Sequence, residues 1–84
     1  MTLKELLKVV DTNQVVLIDG FEKVGKRKTI TYSLTVKSYF AKQGLIEVDG
    51  CLEESYLLKR MLSSEVWFIS NYTGTDQLLV CVNL

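Results

Sequence analysis

Histidine and proline are missing altogether from this 84-residue chain. Without histidine the usual general acid–base at neutral pH is absent, and a Cys/His zinc site is excluded. No proline and only five glycines argue against linkers and disorder, as does a hydrophobic content of 48%. Cysteine is scarce too: Cys51 and Cys81 stand far apart, and neither belongs to a C-x-x-C pair. Charge of one sign is also lacking. Ten basic and ten acidic residues balance, so no global field steers the chain towards nucleic acid or an anionic membrane. No apolar run approaches the ~20 residues of a membrane span. The opening Met1-Thr2-Leu3-Lys4-Glu5 carries an acid early and no uninterrupted apolar stretch, unlike a signal peptide. These absences lead to the expectation of a reduced, cytoplasmic, non-enzymatic protein with no cofactor and no metal.

What is present is a set of apolar runs sized for one α+β domain spanning 1–84. By length alone its stability should be about 4–13 kcal/mol. Thr2 and Glu5 have capping-box spacing, and Leu3, Leu6, Leu7 and Val10 recur at i, i+3, i+4, i+7, which predicts an amphipathic helix over 2–10. Val15-Val16-Leu17-Ile18 is apolar on consecutive positions and predicts a strand over 14–20. Phe21 to Lys28 reads as a polar loop with Gly25 at its tip. From Thr29 to Val36 the pattern alternates, which predicts a strand with Ile30, Tyr32, Leu34 and Val36 on one face. The middle is open between two readings. One is a short helix near 36–43; the other is a strand continuing to Phe40, turning at Lys42-Gln43-Gly44 and returning along Leu45 to Val48. A helix over 53–62 follows, with Glu53 and Glu54 in its first turn and Lys59 and Arg60 near its end, as the helix dipole favours.

Glu65 to Ser70 and Leu78 to Val82 are two further apolar runs, joined by a polar, Gly-containing linker: a β-hairpin signal. Because both are apolar on consecutive positions, the expectation is a hairpin in mid-sheet, covered on both sides. The expected architecture is an antiparallel sheet of about four strands (14–20, 29–36, 65–71, 77–83) with two to three short helices. Leu6-Leu7-Lys8 recurs as Leu57-Leu58-Lys59, and the strands after each are similar, which raises the possibility of two αββ units.

Chemistry-bearing groups are few. Cys81 sits in an apolar strand, where burial makes a thiol inert, and Cys51 has acidic neighbours. Adjacent Glu53 and Glu54 would not face each other on a helix, and Gly25-Lys26 lacks the upstream glycine of a phosphate loop. The one charge cluster holds Lys23, Lys26, Arg27 and Lys28, close in sequence to Phe21 and Tyr32. It fits phosphates with a stacked base, or an acidic protein surface; its plainer reading is a solvated loop. The other handle is apolar excess. Strict alternation puts Trp67, Ile69, Leu79 and Cys81 on one face of the last hairpin, and Val66, Phe68, Leu78, Val80 and Val82 on the other. A face the helices cannot cover, with Trp67, Ile69, Leu79 and the linker residue Tyr72, would be an interface for a protein partner or for a homodimer. The plainer alternative is that the segment Tyr39 to Leu62 folds over that face and completes the core.

Three stretches carry a resemblance: Thr2-Leu3-Lys4-Glu5-Leu6-Leu7, Val15-Val16-Leu17-Ile18-Asp19-Gly20 and Thr35-Val36-Lys37-Ser38-Tyr39-Phe40. On these the chain resembles small uncharacterised proteins of phages and mobile elements in Gram-positive bacteria, with Leu45 to Lys59 looking like an insertion. The resemblance implies an accessory protein, some of which bind and inhibit host defence factors, and it transfers no functional residue. The leading expectation is therefore a protein that binds a host protein, with inhibition of a defence system as one mode of action. The alternatives are a nucleic-acid-binding accessory protein using the basic 23–28 loop, and sequestration of a small nucleotide signal by the same cations.

Overall fold

The computed structural model describes residues 1–71 and 76–84. Among the described residues the elements are, in chain order, α1 (Leu3–Leu7), β1 (Val15–Val24), β2 (Arg27–Lys37), α2 (Ser38–Ala41), β3 (Leu45–Val48), β4 (Cys51–Glu54), α3 (Tyr56–Leu62), β5 (Glu65–Asn71) and β6 (Leu78–Asn83). The chain is α+β, with a four-stranded sheet in the order β2-β1-β6-β5 and a separate two-stranded sheet, β3-β4.

The two long hairpins are antiparallel, as the sequence leads one to expect, but they meet through β1 and β6, which run parallel. The sheet is therefore mixed. Both αββ runs exist in chain order, α1-β1-β2 and α3-β5-β6, yet they are placed differently: β1 is a central strand and β5 an edge strand. The echo lies in element order rather than in sheet position.

Helix α1 starts where its capping box dictates. The Glu5 N–H donates to Thr2 Oγ1 (3.2 Å), and the Thr2 N–H donates to Glu5 Oε1 (3.1 Å). Its Leu3, Leu6 and Leu7 pack with Ala41, Leu58 and Met61 onto Val16, Ile18, Val36, Val80 and Val82, which together form the core. Helices thus cover one face of the sheet. Gly20 makes room for this layer: a Cβ there would come within 2.7 Å of Leu84 Cδ1 and 2.8 Å of Met61 Cε.

Several boundaries differ from expectation for identifiable reasons. The stretch read as a loop from Phe21 to Lys28 is mostly strand. β1 and β2 run on to a two-residue turn, Gly25-Lys26, in which Gly25 has φ +62°, the positive φ a tight hairpin needs at its first position. The middle combines a short helix, α2, with a hairpin whose turn is Asp49-Gly50, both at positive φ (51° and 80°), the hallmark of an Asp-Gly hairpin turn. Glu53 and Glu54 consequently lie on β4 rather than in a helix. α3 begins only after Ser55, whose side chain caps it by accepting the Leu58 N–H (3.1 Å).

Candidate interaction surface

The segment expected to close over the last hairpin lies on the far side of the sheet. α2 and α3 join α1 there, and the hairpin is not in mid-sheet as a unit: β6 is central, β5 is the edge. Consecutive apolar residues in β5 therefore do not signal cover on both sides. Trp67 and Phe68 are 50% and 51% exposed, on a sheet face that no helix among the described residues covers.

Two bulges decide which side chains share this open face. In β5, Val66 pairs with Val82 and Phe68 with Cys81, leaving Trp67 surplus. A bulge sets two residues against one and reverses the alternation beyond it. Trp67 and Phe68, neighbours in sequence, thus stand together on the open face with Leu79, while Ile69 turns to the covered face opposite Val80. In β2 the surplus residue is Thr31, because Gly20 pairs with Tyr32 and Phe21 with Ile30. Tyr32, Leu34 and Val36 stay on the covered face, opposite Gly20, Ile18 and Val16. Ile30 and Lys28, opposite Phe21 and Lys23, move to the open one.

The result is an aromatic–cationic cluster at one corner. The Phe21 and Trp67 rings meet edge-on at 82°, centroids 5.0 Å apart. Lys28 Nζ lies 4.2 Å from the Trp67 ring centroid and donates to Asn83 Oδ1 (3.0 Å). Such a contact orders an otherwise mobile lysine against the ring quadrupole. Lys23 and Lys28 stand directly opposite each other across the strand pair, a like-charge arrangement that is unfavourable by itself. Towards the sheet centre the face becomes polar: Ser33 Oγ donates to Asp19 Oδ1 (2.6 Å).

Of the residues singled out from sequence, Trp67, Leu79, Lys23 and Lys28 share the open face, and Lys26 and Arg27 lie at its basic turn. Ile69 and Tyr32 do not belong to it: the β5 bulge turns Ile69 to the covered face, and Tyr32 stays there while the β2 bulge carries Ile30 and Lys28 across. Tyr72 lies outside the described residues. Phe21, Phe68 and Asn83 are site residues that sequence reasoning did not assign; Phe21 was noticed only as a neighbour of the basic loop. No sequence signal marks the bulge that brings Phe68 round.

The face offers little reactive chemistry. Cys81 lies on it between Asp19 and Phe68 in register but is only 6% exposed. Burial, and then the nearby Asp19 charge, push its thiol pKa up, so at neutral pH it is protonated and a poor nucleophile. Cys51 is exposed. Among the described residues no group of three His, Cys, Asp or Glu side chains is placed to hold a metal ion, and no helix is long and apolar enough to cross a membrane. Scanned against protein-family models the chain matches none, and searches of curated proteins and of solved structures return no match.

Proposed function

We propose that this chain is a non-enzymatic binding protein that engages a partner protein through the open face of its sheet. The observation that carries the reading is the exposed pair Trp67 and Phe68, with half-buried Phe21 against Trp67, on the sheet face opposite the helical core and bordered by Lys28. Trp and Phe are enriched at the centres of protein interfaces, with charged residues at the rim. The resemblance to phage and mobile-element accessory proteins directs the search to a host protein, with inhibition of a defence factor as the mode of action. Affinity capture from a Gram-positive host lysate tests this with two baits, the wild type and Phe68→Ser. A stoichiometric partner held by the first and lost by the folded second supports the proposal. A partner held equally by both, or none under several conditions, overturns it.

The second reading, nucleic-acid binding, is favoured by one observation: Lys23, Lys26, Arg27 and Lys28 take part in none of the ion pairs among the described residues, and they border exposed rings. Bases stack on such rings while cations hold phosphates. Binding of this kind weakens steeply with salt, with a log–log slope near −3 to −4 if about four duplex phosphates are neutralised. A slope near zero, or binding unchanged when the four cations are replaced by alanine, removes this reading. The third, sequestration of a small nucleotide, needs a cavity at the cations. Two cavities, of about 350 and 150 Å³, are lined by neither the basic turn nor Trp67.

A further inference from the structure

Zero net charge conceals a separation of charge between two hairpins. The β1–β2 turn carries Lys23, Lys26, Arg27 and Lys28, with Val24 and Ile30 exposed beside them. The β3–β4 hairpin carries Glu47, Asp49, Glu53 and Glu54, with Val48 and Leu52 exposed beside them. Each combines charge of one sign with uncovered apolar side chains. They also lie at opposite ends of the long strands. β3 follows α2 from the far end of β2, and Glu47 lines a small cavity with Val15, Thr35, Val36, Lys37 and Phe40. At about 3.3 Å per residue, a ten-residue strand separates that end from the basic turn by roughly 30 Å. The two hairpins cannot neutralise each other within one chain. Among the described residues the ion pairs are Met1–Glu65, Lys59–Glu54 and Arg60–Glu22, so Glu47, Asp49, Glu53 and all four cations of the basic turn make none.

From this complementarity we infer that the basic corner of the open face docks a second copy of the chain, whose acidic β3–β4 hairpin supplies the missing counter-charge. A two-fold arrangement lets both copies make the contact at once and closes the assembly at a dimer, whereas a one-sided contact would propagate. The Lys23–Lys28 opposition, unfavourable in the isolated chain, is then compensated by carboxylates. The inference rests on the open-face reading only in taking this corner as a docking surface.

Charge reversal on each hairpin separately, then together, tests it. Lys23→Glu with Lys26→Glu and Arg27→Glu turns the basic turn net acidic, like the β3–β4 hairpin; Glu47→Lys with Glu53→Lys and Glu54→Lys turns that hairpin net basic, like the turn. All six side chains are exposed, and circular dichroism checks that the variants fold. Sedimentation equilibrium at tens of micromolar and low salt should give the wild type twice the 9.6 kDa chain mass, with the dissociation constant rising as salt screens the contact. Either variant alone should bind itself on the order of a hundredfold more weakly or worse. An equimolar mixture of the two should regain the dimer, because each hairpin again meets its opposite. A monomeric wild type, a dimer indifferent to both reversals, or a mixture that stays monomeric overturns the inference. Mass is read here rather than capture, so a monomer leaves binding of a foreign partner standing, and a failed capture leaves the dimer standing.

Discussion

The two faces of one sheet are built from alternating residues of the same strands, and they are different surfaces. On the covered face Val16, Ile18, Val80 and Val82 are fully buried beneath leucines of α1 and α3. On the open face Phe21, Trp67, Phe68 and Leu79 are apolar too, but among the described residues no helix packs on them: Trp67 and Phe68 are exposed, Phe21 and Leu79 half-buried. The first set is aliphatic and interlocking; the second is aromatic and edged by lysine. Apolar character by itself therefore does not locate the core of so small a chain. Three short helices suffice for one face, and what remains on the other is available for recognition.

The comparison can be broken or sharpened by substitution. The largest effect should come from the covered face: Ile18→Ala should cost about 2–5 kcal/mol of unfolding free energy, the range for truncating a buried aliphatic side chain. Against an expected stability of about 4–13 kcal/mol, this is a large share, and urea denaturation should find a markedly lowered midpoint. Gly20→Val tests the same face by overfilling it. Its branched side chain must displace Met61 and Leu84, for an expected loss of about 1–3 kcal/mol by the same assay.

Thr2→Ala removes the cap of α1 and should cost about 1 kcal/mol. The capping box also predicts a pH dependence. The hydrogen bond from the Thr2 backbone, then that from its hydroxyl, hold the Glu5 carboxyl below its ordinary value. The folded state thus favours the ionised form, and the contribution is present above the unfolded pKa and lost as pH falls through the folded one. The melting-temperature gap between wild type and Glu5→Gln should be open at neutral pH and close in acid. The smallest effect belongs to the open face: Phe68→Ser should shift stability by only about 0.5 kcal/mol, as exposed positions do. A loss as large as that of Ile18→Ala would make the two faces equivalent and end the comparison.

The covered face was the legible one. The helical spacing of Leu3, Leu6 and Leu7, the Thr2–Glu5 cap and the apolar run at Val15 to Ile18 are local signals, and each is met by the structure. The Asp49-Gly50 turn was not assigned, because the helical spacing of Leu57, Leu58 and Met61 was extended back to residue 53, over the second half of β4. The open face was hidden for a different reason. Its membership turns on two surplus residues, Thr31 and Trp67, and a bulge leaves composition and alternation unchanged while inverting every face beyond it. Ile30 and Ile69 were misplaced by that inversion, and Phe68 was missed through it. The parallel pairing of β1 with β6 joins strands far apart in sequence, and no local pattern encodes it.

Trp67 is the sole tryptophan, so its fluorescence reports on the open face alone. Acrylamide quenching of the folded chain, dilute and in about 0.5 M salt so that charge-driven association is screened, measures the central claim directly. The account predicts emission and quenching intermediate between those of an enclosed indole and those of the urea-unfolded chain, as half exposure beside Phe21 and Lys28 requires. Blue-shifted emission with little quenching would mean that Trp67 is enclosed, and that the open face does not exist.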